Sequence, residues 1–172
     1  MRPVLCTIGF AGKTAEEFFR LLEEGGVRTV VDVRENRIGQ LSGYAKFPDI
    51  AYFLDRLGHI AYRYEPGLAP TPEIRARYRE TKDWPEYESA FLALMRERGF
   101  PENFKLENGG SALAFLCSEP KPDRCHRRLV AELLAAHWRS QGEEAPVQHL
   151  VQAKAAGAKA KRQRKDDGTH PE

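Results

Sequence analysis

The sequence predicts a single α/β domain: a mostly parallel five-stranded sheet with helices on both faces. Short apolar runs alternate with helix-like segments from Val4 to Val151, which implies strand–helix–strand crossovers. Glycine and proline punctuate the runs, at Gly9–Gly12, Gly25-Gly26 and Gly67/Pro70/Pro72. A length of 172 residues with 41% hydrophobic content supports one core plus an appendage.

The elements follow in order. Val4–Ile8 reads as a short buried strand. Thr14 with Glu17 forms a capping-box signature, and Phe18, Leu21 and Leu22 give the helix after it an apolar face. Gly25-Gly26 stops that helix and Val27–Val33 reads as strand two. Glu35–Phe47 is irregular, Asp49–Leu57 helical, and His59–Tyr64 a third strand. Helices are predicted over Pro72–Thr81 and Trp84–Arg98, then a strand over Ala112–Cys117, a helix over Arg124–Trp138 and a last strand over Val147–Val151. The core domain is thus placed at 1–151.

Sheets of this kind gather ligands outside the carboxyl ends of their strands. The pattern puts Thr7 and Gly9, Asp32 and Arg34, Tyr62 and Tyr64, Cys117 and Glu119, and His149 on that one rim. If they share a site, strands two and four both lie near strand one, and Cys125 or Arg127 comes within reach of Asp32 or Arg34.

The junction from Cys117 to Arg127 concentrates the chemistry. Two thiols, a carboxylate, an imidazole and guanidinium groups crowd one strand-to-helix turn, where exposed N–H donors and the helix dipole bind anions and lower thiol pKa values. One reading is structural: Cys117 and Cys125 pack inward, and Asp32 pairs with a nearby arginine. The other is functional. Cys125 is then a nucleophile or substrate contact with a lowered pKa, His126 or Asp32 handles a proton, and Arg34 and Arg127 clamp an anion. Thr7, Gly9, Cys117 and Glu119 complete the substrate contacts. Zinc on Cys117, Cys125 and a histidine is disfavoured, because adjacent Cys125 and His126 point about 100° apart if both are helical. A Cys117–Cys125 disulfide has a plausible loop but suits a secreted protein better. No metal or cofactor is therefore predicted. Gly9–Thr14 ends in Gly-Lys-Thr, but Thr7 stands where a phosphate loop needs its first glycine.

A formal charge of +2 makes no global case for nucleic acid. Three cysteines, no signal-like start and no apolar run near the roughly 20 residues of a membrane span predict a cytoplasmic protein with no membrane partner. Residues 152–172 hold Lys154, Lys159, Lys161, Arg162, Arg164 and Lys165 without an aromatic, and are predicted to be a disordered basic tail. Nothing in the sequence indicates an oligomeric state.

Thr7-Ile8-Gly9-Phe10, Asp32-Val33-Arg34, Cys117-x-Glu119 and Cys125-His126-Arg127 occur in the order found in a bacterial family catalogued as domain of unknown function 488. The chain resembles that family over residues 3–151, with Phe10 where members often have His or Tyr. The resemblance implies no particular activity. The Asp-Val-Arg triplet is also similar to one in rhodanese-like domains, but no matching six-residue loop follows strand four, so sulfur transfer is not implied. The residues favour an enzyme binding an anionic, phosphate- or nucleotide-like small molecule at the rim. The alternative is a nucleic-acid-associated binding module using the same rim and the basic tail.

Overall fold

The computed structural model of the chain describes residues 3–39, 42–106 and 111–152. Five strands form one parallel sheet: β1 (Leu5–Gly9), β2 (Val27–Asp32), β3 (Ala61–Tyr64), β4 (Ala112–Cys117) and β5 (Val147–Leu150), in the spatial order β3-β2-β4-β1-β5. Five helices connect them: α1 (Ala15–Glu24), α2 (Asp49–Gly58), α3 (Pro72–Thr81), α4 (Trp84–Glu97) and α5 (His126–Ser140). The α/β class, the single sheet and its parallel strands are as the sequence predicts.

Strand order decides which face each helix covers. The first two crossovers, β1 to β2 and β2 to β3, step one way along the sheet; the next two, β3 to β4 and β4 to β5, step back. Right-handed crossovers that reverse direction must switch faces. Accordingly Phe18, Leu21 and Leu22 of α1 and Ile50 and Leu54 of α2 pack with Cys6, Ile8, Val30, Ala114 and Leu116 on one side. Phe91 and Met95 of α4 and Leu129, Val130 and Leu134 of α5 pack with Leu5, Val31, Leu113 and Phe115 on the other. Adjacent strand residues alternate between the two cores, as a pleated strand requires. Each large apolar side chain fully buried this way contributes about 1.5–3 kcal/mol.

The reversal opens a crevice at the carboxyl ends of β2, β4 and β1, where the chain leaves for opposite faces. Register brings the rim residues level: Gly9 pairs with Cys117, and Asp32 with Leu116. As expected, strands two and four both lie near strand one: β4 is directly beside β1, and β2 follows on the far side of β4.

The predicted helix ends shift for local reasons. Thr14 caps α1 through a complete capping box, Thr14 and Glu17 each bonding the other's backbone N–H. His59 adopts a left-handed conformation (φ 48°) that ends α2, so β3 begins only at Ala61. The irregular 35–47 stretch contains a 3₁₀ turn at Gly43–Ala45. α3 buries no residue fully; it lies on α4 through Tyr78, which meets Trp84 and Tyr87 edge-on or tilted. No helix among the described residues is long and apolar enough to cross a membrane. Of the predicted tail, residues 153–172 lie outside the described residues; Gln152 hydrogen-bonds Glu17.

Candidate functional site

The chain leaves β4 at Cys117 and crosses the rim before entering α5. Phe10 N–H donates to the Cys117 carbonyl at 3.4 Å and Ala11 N–H to the Ser118 carbonyl at 3.0 Å, which draws this loop onto the end of β1. Contact is so close that a Cβ on Gly9 would lie 1.7 Å from the Glu119 carbonyl oxygen. Only a residue without a side chain fits there.

Cys125 caps α5 in an extended conformation (φ −140°, ψ 135°), so the helix starts at His126 and not at Arg124. This corrects the premise used against a shared metal: Cys125 is not helical, and its thiol does not point away from His126. The two sulfurs of Cys117 and Cys125 and a ring nitrogen of His126 all lie within 4.8 Å of one another, and all three residues are buried. His126 Nδ1 is 3.8 Å from Cys117 Sγ, and Nε2 is 2.9 Å from the Val33 carbonyl oxygen at the end of β2. A carbonyl only accepts, so Nε2 carries a proton and donates.

The two thiols differ in proton affinity. A hydrogen bond from Cys125 pulls the Cys117 thiol well below its ordinary pKa against the cost of burial, with His126 and the Glu119 N–H assisting. The same bond, burial and the Cys117 charge push Cys125 well above its own, with Arg127 opposing. Burial pulls His126 down, but the Cys117 charge and the bonds to Cys117 and Val33 outweigh it, and His126 ends above its ordinary value. Within this coupled pair the downward shift falls on Cys117 and the upward shift on Cys125. The lowered pKa expected at Cys125 is found instead at Cys117, the other thiol of the pair.

Arg127 is fully buried behind this cluster. Its Nη1 donates to the Glu119 carbonyl at 2.6 Å and to Cys125 Sγ at 3.3 Å, while its Nε has no partner among the described residues. It holds the loop and faces a sulfur; it does not line the cleft, as an anion clamp must.

Asp32 and Arg34 form a second buried unit. Arg34 Nε and Nη2 grip both carboxylate oxygens at 2.8 and 2.6 Å; the Arg34 N–H (3.1 Å) and Tyr62 hydroxyl (2.7 Å) add to them. Arg34 Nη1 also donates to the Ala45 carbonyl at 2.9 Å. Burial would lower the Arg34 pKa, but Asp32 raises it above its ordinary value. Asp32 is 0% exposed and saturated with donors, so it positions Arg34 and is not placed to shuttle a proton. Thr7 lies elsewhere: its Oγ1 is 2.8 Å from His149 Nδ1 across the β1–β5 pair. Burial, then the Arg127 charge, hold His149 below its ordinary value.

A cleft of ≈ 520 Å³ opens over the rim. Of the sequence-predicted residues, Arg34, Cys117, Glu119, Cys125 and His126 line it; Asp32, Gly9, Thr7 and Arg127 do not. Neither Cys125 nor Arg127 bonds Asp32 or Arg34 among the described residues; the link between the β2 and β4 ends is His126 to Val33. Sequence reasoning missed the far wall, where α3 presents Arg75 and Arg79 and its C-cap supplies Lys82, with Tyr78 and Tyr87 beside them. The four-residue spacing of Arg75 and Arg79 puts these two cations on one helix face, a signal the sequence contains. Arg75 pairs with Glu35; Arg79, Lys82 and Arg124 have no carboxylate partner among the described residues.

The family model described as "Domain of unknown function DUF488" matches residues 14–134, from the start of α1 into α5. No curated protein and no solved structure matches the chain.

Proposed function

The chain belongs to the DUF488 family, whose description names no activity, and from the cleft we propose that it is an enzyme acting on a small anionic, phosphate- or nucleotide-like substrate. One observation carries this reading: the buried Cys117–Cys125–His126 cluster forms part of the floor of a cleft whose lining has five basic side chains and two carboxylates. Cations converging on a concave, partly apolar surface attract anions and orient them. A cleft of this volume suits a nucleotide-sized ligand. In this reading Arg79, Lys82 and Arg124 hold the anion, Arg34 is the rigid floor cation, and the cluster supplies the reacting group. Tyr78 and Tyr87 offer aromatic surface to a ring.

A nucleic-acid-binding module has less in its favour, since the reactive side chains sit in a concave recess of small-molecule size. The deciding experiment is thermal stabilisation of the full chain by nucleotides and sugar phosphates, since a specific ligand raises apparent stability. We expect at least one phosphorylated small molecule to raise Tm, and Arg79→Glu combined with Arg124→Glu to remove the shift. Stabilisation by duplex or single-stranded DNA alone would favour the binding module; no shift with any anion would end both.

A further inference from the structure

We propose that Cys117, Cys125 and His126 are three protein ligands of a zinc ion whose fourth position opens on the cleft. This deepens the enzyme reading by naming the reacting group, and rests on that reading only for what the metal does there.

The donor set and its spacing come first. Two sulfurs and an imidazole nitrogen lie within 4.8 Å of one another at a buried point. Tetrahedral zinc, with Zn–S of about 2.3 Å and Zn–N of about 2.0 Å, holds its sulfurs about 3.8 Å apart and each sulfur about 3.5 Å from the nitrogen. Cys117 Sγ and His126 Nδ1 are already at 3.8 Å. Side-chain rotation of about 1 Å at most brings the rest to that spacing.

Orientation is the independent observation. The outer ring nitrogen of a metal-binding histidine is normally fixed by a carbonyl or carboxylate, which aims the inner nitrogen at the ion. Here Val33 holds Nε2 at 2.9 Å and leaves Nδ1 facing the sulfurs. Cys125 Sγ accepts from Arg127 Nη1 at 3.3 Å, the kind of outer contact that steadies a metal-bound thiolate. Local charge is also met: Zn²⁺ with two thiolates is neutral, so it adds no net positive charge beside buried Arg127 and Arg34. On binding, the protons that these ligands hold pass to solvent.

Thiolate and imidazole together select zinc over harder ions. Three protein ligands mark a catalytic site, since structural zinc is closed by four. All three line the cleft, so substrate or water takes the remaining position. Bound there, zinc would polarise a substrate oxygen or activate a water, with the anion held by the cationic wall.

The test is to reduce and chelate the full-length protein, then titrate it with Co²⁺ and Zn²⁺. We expect thiolate-to-cobalt charge-transfer bands and tetrahedral visible bands that saturate at one Co²⁺ per chain and are bleached by one Zn²⁺. Cys117→Ser, Cys125→Ser and His126→Ala should each weaken binding at least about 100-fold, beyond the usual loss for an outer-shell partner, whereas Cys6→Ser should retain the bands. Where a ligand variant does not fold, the wild-type cobalt spectrum still decides. No bands with all thiols reduced, octahedral cobalt, or unchanged binding in a folded Cys117→Ser or Cys125→Ser protein would overturn the site. Phosphate-ligand stabilisation measured on the metal-free protein separates the two readings: a zinc failure leaves it intact, and its loss leaves the cobalt spectrum intact.

Discussion

His126 Nε2 lies 2.9 Å from the Val33 carbonyl oxygen, joining the start of α5 to the end of β2 across 93 residues of chain. It fastens together the two strand ends between which the crevice opens. Removing the ring leaves a buried acceptor without its donor, which costs about 1–3 kcal/mol. His126→Ala should lower unfolding free energy by that amount in urea. A folded variant of unchanged stability would mean the bond has no structural weight.

Gly9→Ala tests the closeness of the loop to β1. Its methyl would meet backbone, the Glu119 carbonyl, at 1.7 Å, and backbone in a sheet-anchored loop yields poorly. Destabilisation of about 3 kcal/mol or more is expected. Gly12→Ala is a poor control because φ is +75° there; Gly67→Ala, where nothing lies within 4 Å, should stay near neutral.

Asp32→Ala leaves Arg34 buried without its carboxylate and should cost about 3–5 kcal/mol. The double variant Asp32→Ala/Arg34→Met should recover much of that loss, because no orphaned charge remains. Additive losses in a denaturation cycle would show that the two side chains act separately.

Thiol chemistry should distinguish the three cysteines. In reduced, chelator-treated protein at pH 7, iodoacetamide should label Cys117 first, because its thiol is depressed and borders the cleft. Burial raises Cys6 to about 11 and keeps it inert. Peptide mapping that finds Cys6 modified as fast as Cys117 would contradict this ordering.

Cys6 also gives stability a definite pH dependence. Its folded pKa of about 11 lies above the ordinary 9.0, so the folded chain binds the proton more tightly than the unfolded one. That contribution is complete below about pH 9 and is lost as pH rises toward about 11, by roughly 3 kcal/mol. Cys6→Ala should flatten the alkaline arm of a stability–pH curve. An unchanged slope would assign it to other groups, such as Tyr62, raised to about 12 by burial and its bond to Asp32.

Much of this was legible in the chain. Alternating strands and helices gave the class, since buried runs such as Ala112–Cys117 and the Thr14/Glu17 cap are local signals. The rim followed from topology alone, which is why Arg34, Cys117, Glu119, Cys125 and His126 could be gathered from distant segments. Strand order was not legible: nothing local to β4 says that it lies between β1 and β2. The thiol assignment failed for a related reason. Whether Cys125 lies in the first helical turn or is the extended cap before it turns on one dihedral pair, and the shifts within the Cys117–Cys125 pair depend on contacts that no local signal encodes. Arg79 and Lys82 read as ordinary surface residues until α3 is placed over the cleft.

The central place of β4 orders events during synthesis. Until residues 112–117 have been made, β1 lacks both its neighbours, β4 and β5, and β2 has only β3, so neither face has a continuous surface on which the helices can condense. The keystone strand is fourth of five to leave the ribosome, and it carries Cys117 at its tip with Cys125 and His126 just behind. Non-local pairing of this kind delays folding. A nascent chain therefore acquires its core and its reactive cluster in one late step, and truncated products ending before β4 have neither.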